Sequence, residues 1–322
     1  EGDALNMENY MDKGGYDMTT ISGDPHAYAP EHRKYGFTFF CETDDFWQSQ
    51  GIDPKASDAV EKLQDWIASN GMYLSDGGYQ VNTDYTSPKN MLHQWLVYHI
   101  LPMRIPSNKL VYHCNENGFF YTTAKYTIPV FEWYPVYGGG RLLKIYESAE
   151  SNGIYLNSFP ERNNGINEDG HESYCAPDKR GILIDVNSDK AVLSDIVNAC
   201  IYPLSSPLAY TDDVRTNLGK ERIRFDLSTT LPELISNNFR GLGYQAFEHG
   251  YFENVLKETE GTEIYYLQCG GNGVGYWHDY QGDEFLCIGV YDFAMRLPPV
   301  PDGTYELRIG YTANGNRGML QF

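Results

Sequence analysis

The apolar and polar positions of the chain change rhythm several times. Tyr35 to Phe40 (YGFTFF) is an apolar run rich in aromatic and β-branched residues, closed by Cys41-Glu42-Thr43-Asp44-Asp45. It reads as a buried strand. Ser57 is placed to cap a helix from Asp58, in which Val60, Leu63, Ile67 and the neighbouring Trp66 recur at helical spacing until Asn70-Gly71 stops it. Ser87-Pro88 is a second start signal, a capping hydroxyl with proline at the first helical position. Met91 to Ile100 is then the clearest helix. Leu92, Trp95, Leu96 and His99 fall at i, i+3, i+4 and i+7, which places His99 on an apolar stripe, and Leu101-Pro102 ends the pattern.

From Lys109 onward the period shortens. Lys109–His113, Gly118–Thr122, Leu142–Tyr146 and Gly153–Asn157 read as short strands between turns. The stretch 162–180 is too polar for a strand and reads as an exposed loop. Val192–Ile196 and Cys200–Leu204 return to apolar character, Arg222–Phe225 is a further short run, and a helix is expected around Leu231–Ile235. Beyond Gly243 helical periodicity disappears. Glu263–Gln268, Glu284–Val290, Tyr291–Leu297, Thr304–Tyr311 and Met319–Phe322 alternate with Gly-, Pro- and Asn-rich turns, a pattern that predicts a β-sandwich. The last strand runs to the end of the chain, so a further partner strand is expected beyond it.

Composition narrows the partners. Acids outnumber bases 44 to 24, giving a net charge of -20. A nucleic-acid groove needs clustered Lys and Arg, so nucleic acid is excluded as a partner, and an anionic membrane surface is disfavoured. No apolar run is long enough to span a bilayer. No basic region followed by an apolar stretch opens the chain, so any export signal is expected to have been removed. The chain holds 27 Tyr, 15 Phe and 5 Trp. Tyrosine pairs an apolar body with a polar tip, which suits strands and wet binding surfaces of an extracellular protein. The absence of any N-x-S/T sequon favours a bacterial source.

Candidate chemistry is sparse. The six cysteines (Cys41, Cys114, Cys175, Cys200, Cys269 and Cys287) show no zinc spacing. Cys41, Cys200 and Cys287 sit in apolar runs and read as buried thiols; Cys269–Cys287 is the one plausible bridge. Asp44 and Asp45 could act as an acid–base pair or bind calcium with Glu42, but capping of a turn or helix is the simpler reading. Asn164, Asn167 and Asp169 have calcium-like spacing within a polar loop. Gly270-Gly271-Asn272-Gly273-Val274-Gly275 lacks the following helix that a phosphate cradle needs. No nucleophile elbow, P-loop, dinucleotide fingerprint or zinc-protease motif is present. These observations predict no catalytic centre, no metal site and no cofactor. Tyr276, Trp277 and Tyr280 would form a stacking platform for sugar rings if exposed, with His278 and Asp279 adding polar contacts, and ordinary core or edge residues if buried.

Two segments resemble the fasciclin family. Phe37-Thr38-Phe39-Phe40-Cys41-Glu42-Thr43-Asp44-Asp45-Phe46 is similar to its first signature strand, with Glu42 where proline is usual. Leu96-Val97-Tyr98-His99-Ile100-Leu101-Pro102 is similar to its Tyr-His box. Asp195 to Tyr202 is a weaker third match, with Ala199 in place of glycine and Leu208 as a closing leucine. The resemblance covers roughly 31–215 and implies an α+β fold, a fasciclin-like β-sandwich wedge with packed helices, followed by a mostly β C-terminal domain. The expected division is an arm at 1–30, the fasciclin-like domain at 31–215, a connecting segment at 216–242 and the β domain at 243–322. Gly250–Phe252, Asp292-Phe293 and the Arg296–Arg308 region are similar to C-terminal regions of Bacteroidetes surface lipoproteins.

The resemblance implies a non-enzymatic cell-surface adhesion or interaction protein on a bacterial outer membrane. It would be held by a lipid anchor and would bind a surface protein partner. The alternative it leaves open is a glycan-binding accessory of an outer-membrane importer complex. Tyr98 and His99 then belong to or support the binding face, although a core His99, its ring hydrogen-bonded to backbone or a hydroxyl, is the simpler reading. Tyr276, Trp277 and Tyr280 complete the candidate binding residues.

Overall fold

The computed structural model describes residues 34–111, 130–148, 151, 153–159, 181–191, 198–204, 206–221, 223, 225, 227–239, 244–267 and 284–309. The expected arm at 1–30 and the expected segments Gly118–Thr122, 162–180, Val192–Ile196 and Met319–Phe322 lie outside them.

The main element is a seven-stranded sheet in the order β2-β1-β7-β6-β5-β4-β3. Its strands are β1 (Phe37–Glu42), β2 (Ile100–Leu101), β3 (Val130–Pro135), β4 (Leu142–Ser148), β5 (Gly153–Leu156), β6 (Ile182–Ile184) and β7 (Ala199–Leu204). β1 and β7 run parallel, and every other neighbour in this sheet is antiparallel. The Tyr137 N–H, just past β3, donates to the Ile100 carbonyl of β2 at 2.8 Å. That bond joins the two outer strands and curls the sheet into a near-barrel, which covers edges that would otherwise be open to pairing.

Register decides which residues point inward. Leu101 stands opposite Thr38, Thr38 opposite Cys200, Phe40 opposite Tyr202, Leu204 opposite Ile184, Leu156 opposite Ile145, and Leu143 opposite Tyr134. All of these are buried and fill the interior. Thr38 is the polar member. Its hydroxyl donates to the Met103 carbonyl at 2.8 Å and accepts from the Ile105 N–H at 2.9 Å, so the interior leaves it satisfied.

The outward face is uneven. Over β1, β6 and β7 it is partly open, with Cys41 and Leu183 exposed and Phe37, Phe39 and Ile201 half-buried. Over β3 and β4 it is covered, so Trp133, Leu142, Lys144 and Tyr146 are buried as well. Lys144 pairs with Glu221 at 3.1 Å, with the Trp133 and Phe159 rings nearby.

The helices begin where capping chemistry allows. Thr43 caps α1 (Asp44–Ser49), its hydroxyl accepting from the Phe46 N–H at 3.3 Å, and Asp44 and Asp45 occupy the first turn where the helix dipole favours acids. α2 (Ala59–Ser69) follows Asp58. α3 (Met91–Val97) is capped by Asn90, not by Ser87, because the side-chain oxygen of the buried Asn90 accepts from the His93 N–H at 2.9 Å. α3 is shorter than its apolar period predicts. The Phe40 N–H takes the His99 carbonyl at 3.0 Å, and Ile100 and Leu101 pair with β1 instead of extending the helix. These helices pack on Trp47, Ile67, Trp95 and Ala209 as a second apolar cluster.

A third cluster lies around the C-terminal strands. β8 (Tyr244–Phe247), β10 (Thr262–Leu267) and β11 (Glu284–Gly289) form an antiparallel sheet in the order β11-β10-β8. β9 (Val255–Leu256) pairs with β12 (Ala294–Met295). Between barrel and sheet come α4 (Asp212–Leu218), α5 (Leu227–Thr230) and α6 (Pro232–Ser236). Ile235 joins the barrel core and Leu234 the C-terminal cluster, so the expected connecting segment is structural material for both. The fold is α+β. The strand expected over Tyr291–Leu297 shrinks to β12, and no strand forms over the described residues 304–309, where Leu307 and Ile309 are exposed.

Candidate functional site

β1 and β7 are parallel neighbours, so both finish at the same end of the barrel. The chain leaves β1 into α1 and leaves β7 into residues 206–210, and together with α3 these segments cap that end. The Tyr-His pair lies beneath the cap.

Tyr98 is fully buried. Its hydroxyl donates within reach of the Leu142 carbonyl at 3.2 Å and the Asn157 side-chain oxygen at 3.1 Å. Burial pushes its phenol far above the usual range. His99 is 5% exposed. Its Nδ1 is 2.8 Å from the Trp95 carbonyl, which can only accept, so Nδ1 carries a proton. Its Nε2 is 3.1 Å from Glu42 Oε1, and the same oxygen accepts from the Leu208 N–H at 2.9 Å. One proton therefore lies between Nε2 and Oε1, whichever atom holds it. Neither Tyr98 nor His99 presents a surface to a partner; both tie α3 to the strands. Tyr276, Trp277 and Tyr280 lie outside the described residues, as do Asn164, Asn167, Asp169 and the glycine-rich loop.

Above Tyr98 the cap holds groups that sequence reasoning passed over. The Tyr210 ring packs edge-on against Tyr98 at 5.2 Å. Arg141, which follows the Gly138-Gly139-Gly140 turn between β3 and β4, places its guanidinium 4.8 Å from the Tyr210 ring centre and 5.4 Å from that of Tyr79. It donates to the Tyr79 hydroxyl and, at 3.4 Å, to the Gln94 carbonyl. Lys89 stands 6.0 Å from the same Tyr79 ring and donates to the Gly77 carbonyl at 3.2 Å. All three glycines of the turn have positive φ, which brings the chain round tightly enough to set Arg141 at the mouth.

The electrostatics separate the two arginines of this region. Arg215 is matched by acid: it grips Asp76 with 2.8 and 2.7 Å bonds and meets Asp212 at 2.9 Å. Hydrogen bonding from Ser75 is the main reason the Asp212 carboxyl lies below its ordinary range. Arg141 has only neutral partners among the described residues. Burial pushes the Tyr210 phenol up, against the opposing pull of Arg141 and Arg215. Tyr210 thus stays uncharged at neutral pH and does not cancel the guanidinium. The arrangement is a half-buried cation framed by aromatic rings, with the exposed Lys89 beside it.

A shallow, open depression of about 250 Å³ is lined by Cys41, Glu42, Thr43, Asp44, Lys190, Ile201 and Pro203. Cys41 is an exposed residue, yet burial of its thiol, with Glu42 adding to it, pushes the pKa up to about 11. It is a thiol and not a thiolate at neutral pH. Asp45 is held by Lys190 at 2.9 Å. No group of His, Cys, Asp and Glu able to hold a metal ion occurs among the described residues.

Cys287 carries a free thiol on β11, opposite Ile264 in the ladder, and the expected Cys269 partner lies outside the described residues. Burial raises that thiol to about 12. Cys114, Cys175 and Cys269 lie outside the described residues. No helix among the described residues is long and apolar enough to cross a membrane. The chain matches no protein-family model, no curated protein and no solved structure.

Proposed function

We propose that this chain is a non-enzymatic glycan-binding protein whose recognition site is the capped mouth of the barrel. The observation that carries this reading is Arg141, a half-buried guanidinium between the Tyr79 and Tyr210 rings with no carboxylate partner among the described residues. Tyrosine rings offer flat apolar faces to sugar C–H groups, and hydroxyl and guanidinium donors beside them orient sugar oxygens. Binding to an oligosaccharide panel, lost on Tyr79→Ala, tests it. A blank panel removes the reading.

A surface-protein partner, as in adhesion, is the second reading, favoured by a different observation. Tyr35 is 58% exposed and Tyr137 47%, and the half-buried Phe37 ring lies 6.0 Å from that of Tyr137 on the outward face of the barrel. Aromatic residues of this kind anchor protein interfaces. Recovery of a partner by the wild type but not by Tyr137→Ser would move weight to adhesion. Either reading goes with display on a bacterial outer membrane through a lipid anchor, beside an importer complex in the glycan case. What supports that setting is the acidic, tyrosine-rich composition and the fasciclin resemblance of 31–215.

A further inference from the structure

We infer that the Arg141 mouth recognises an acidic saccharide, with a uronate carboxylate seated on the guanidinium and the sugar ring against the half-buried Tyr79. This rests on the glycan-binding reading and names its ligand class.

The inference starts from charge matching. In this acid-rich chain Arg215 holds Asp76 and Asp212, Arg308 holds Glu306, Lys144 holds Glu221 and Lys190 holds Asp45. Arg141 and Lys89 flank one ring and hold backbone carbonyls and a phenol instead. A guanidinium has five N–H donors in a planar fork. The Gln94 carbonyl and the Tyr79 hydroxyl take donors from the two terminal nitrogens, which leaves further N–H groups able to meet a carboxylate in two parallel bonds. Partial burial between rings strengthens such a bond relative to open water. The raised Tyr210 phenol keeps the guanidinium from being neutralised by its nearest ring. The two acids closest in the chain to this site, Asp76 and Asp212, are already bound by Arg215.

A peptide carboxylate is the competing source. The usual way to seat an extended peptide is an open strand edge. At this end of the barrel the outer strands are joined by the Tyr137–Ile100 bond, so that edge is closed. Half-buried Tyr79 offers a ring face, which suits a pyranose. The net charge of -20 repels an approaching polyanion, but exposed charges are screened beyond about 8 Å at physiological salt, so the contact cation decides the bound state.

The test is calorimetric titration of the full chain with four-residue oligomers of galacturonate, glucuronate and mannuronate. The comparison ligands are the methyl-esterified and neutral hexose forms, a sulfated oligosaccharide and a glutamate-rich peptide. At least one oligouronate is expected to bind, at least tenfold tighter than its methyl ester or neutral form. Arg141→Gln should remove that preference, Arg141→Lys should restore part of it, and Lys89→Gln, on an exposed side chain that can be changed without disturbing the core, should weaken uronate binding about threefold. Equal binding of acid, ester and neutral forms overturns the inference while leaving the glycan reading intact. Preference for sulfate or for the acidic peptide overturns it in favour of that source. Failure of every saccharide to bind overturns both.

Discussion

At the residue scale, the buried polar groups of this protein act as fasteners, and removing one should show it. His99 and Glu42 form a pair with side chains 6% and 3% exposed. Taking away one partner of a buried pair leaves the other charged or polar group stranded, at about 3–5 kcal/mol. His99→Leu should therefore lower the urea-unfolding free energy by about that much. A loss under about 1 kcal/mol would mean the pair does not hold α3 to β1. Glu233 behaves in the opposite way. One carboxylate oxygen accepts from the Glu253 N–H at 2.8 Å while the other has no hydrogen-bond partner among the described residues. Burial raises its pKa above the ordinary 4.5, and Lys34 offsets this only in part. The folded state then binds more protons than the unfolded state, so the contribution of Glu233 is fully present below about 4.5 and is lost as pH rises through the folded value. Glu233→Gln should raise stability at neutral pH relative to the parent and flatten the decline of stability with pH above that window. Unfolding at pH 5 and pH 8 decides it: an unchanged slope would mean that Glu233 stays ionised at both.

At the element scale, the barrel depends on a few backbone positions with no room to spare. Gly181, at the entry to β6, has φ +85, and a Cβ there would lie 2.3 Å from the Leu156 carbonyl oxygen. Both the left-handed backbone and the clash with backbone oppose any side chain. Gly181→Ala should cost about 2–5 kcal/mol, from the left-handed backbone and from overpacking together. It should also speed amide exchange in β5 and β6 before it does so in β10. Exchange rising equally in both sheets would show the molecule opening as one unit. Much at this scale is legible in the chain: the strand read at Tyr35–Phe40 forms as Phe37–Glu42, shifted by two residues, and the apolar period of α2 and the runs of β4, β5 and β7 stand close to where they read. The exceptions have local causes. α3 stops early because Ile100 pairs with Phe39, a partner that periodicity within the helix does not reveal. α1 is capped by Thr43 but its six residues are too few to show a helical period.

At the scale of the whole molecule, charge and topology set what can reach the mouth. A net charge of -20 opposes an anionic ligand from a distance, while Arg141 and Lys89 attract it at contact. The Debye length falls from about 30 Å at 0.01 M salt to about 10 Å at 0.1 M. Association with an oligouronate should therefore quicken over that range, reversing the usual trend for oppositely charged partners, and stopped-flow measurement reads it directly. An association rate that falls with salt would indicate that attraction outweighs the global field.

What the sequence determined by itself was local: several of the runs that become strands, the apolar periods of α2 and α3, and the acidic, tyrosine-rich composition. Neighbouring residues carry that information through spacing and turn chemistry. Even the buried place of His99 could be read from its apolar stripe, but its partner Glu42 could not. Only the tertiary structure brought β1 against β7, closed the sheet through Tyr137 and Ile100, and stacked Tyr98, Tyr210, Arg141 and Tyr79 at one end. Those contacts join residues remote in the chain. No short-range pattern marks them, and in sequence Arg141 is merely the residue after three glycines. Its significance as a cation without a carboxylate comes from which groups the barrel places around it.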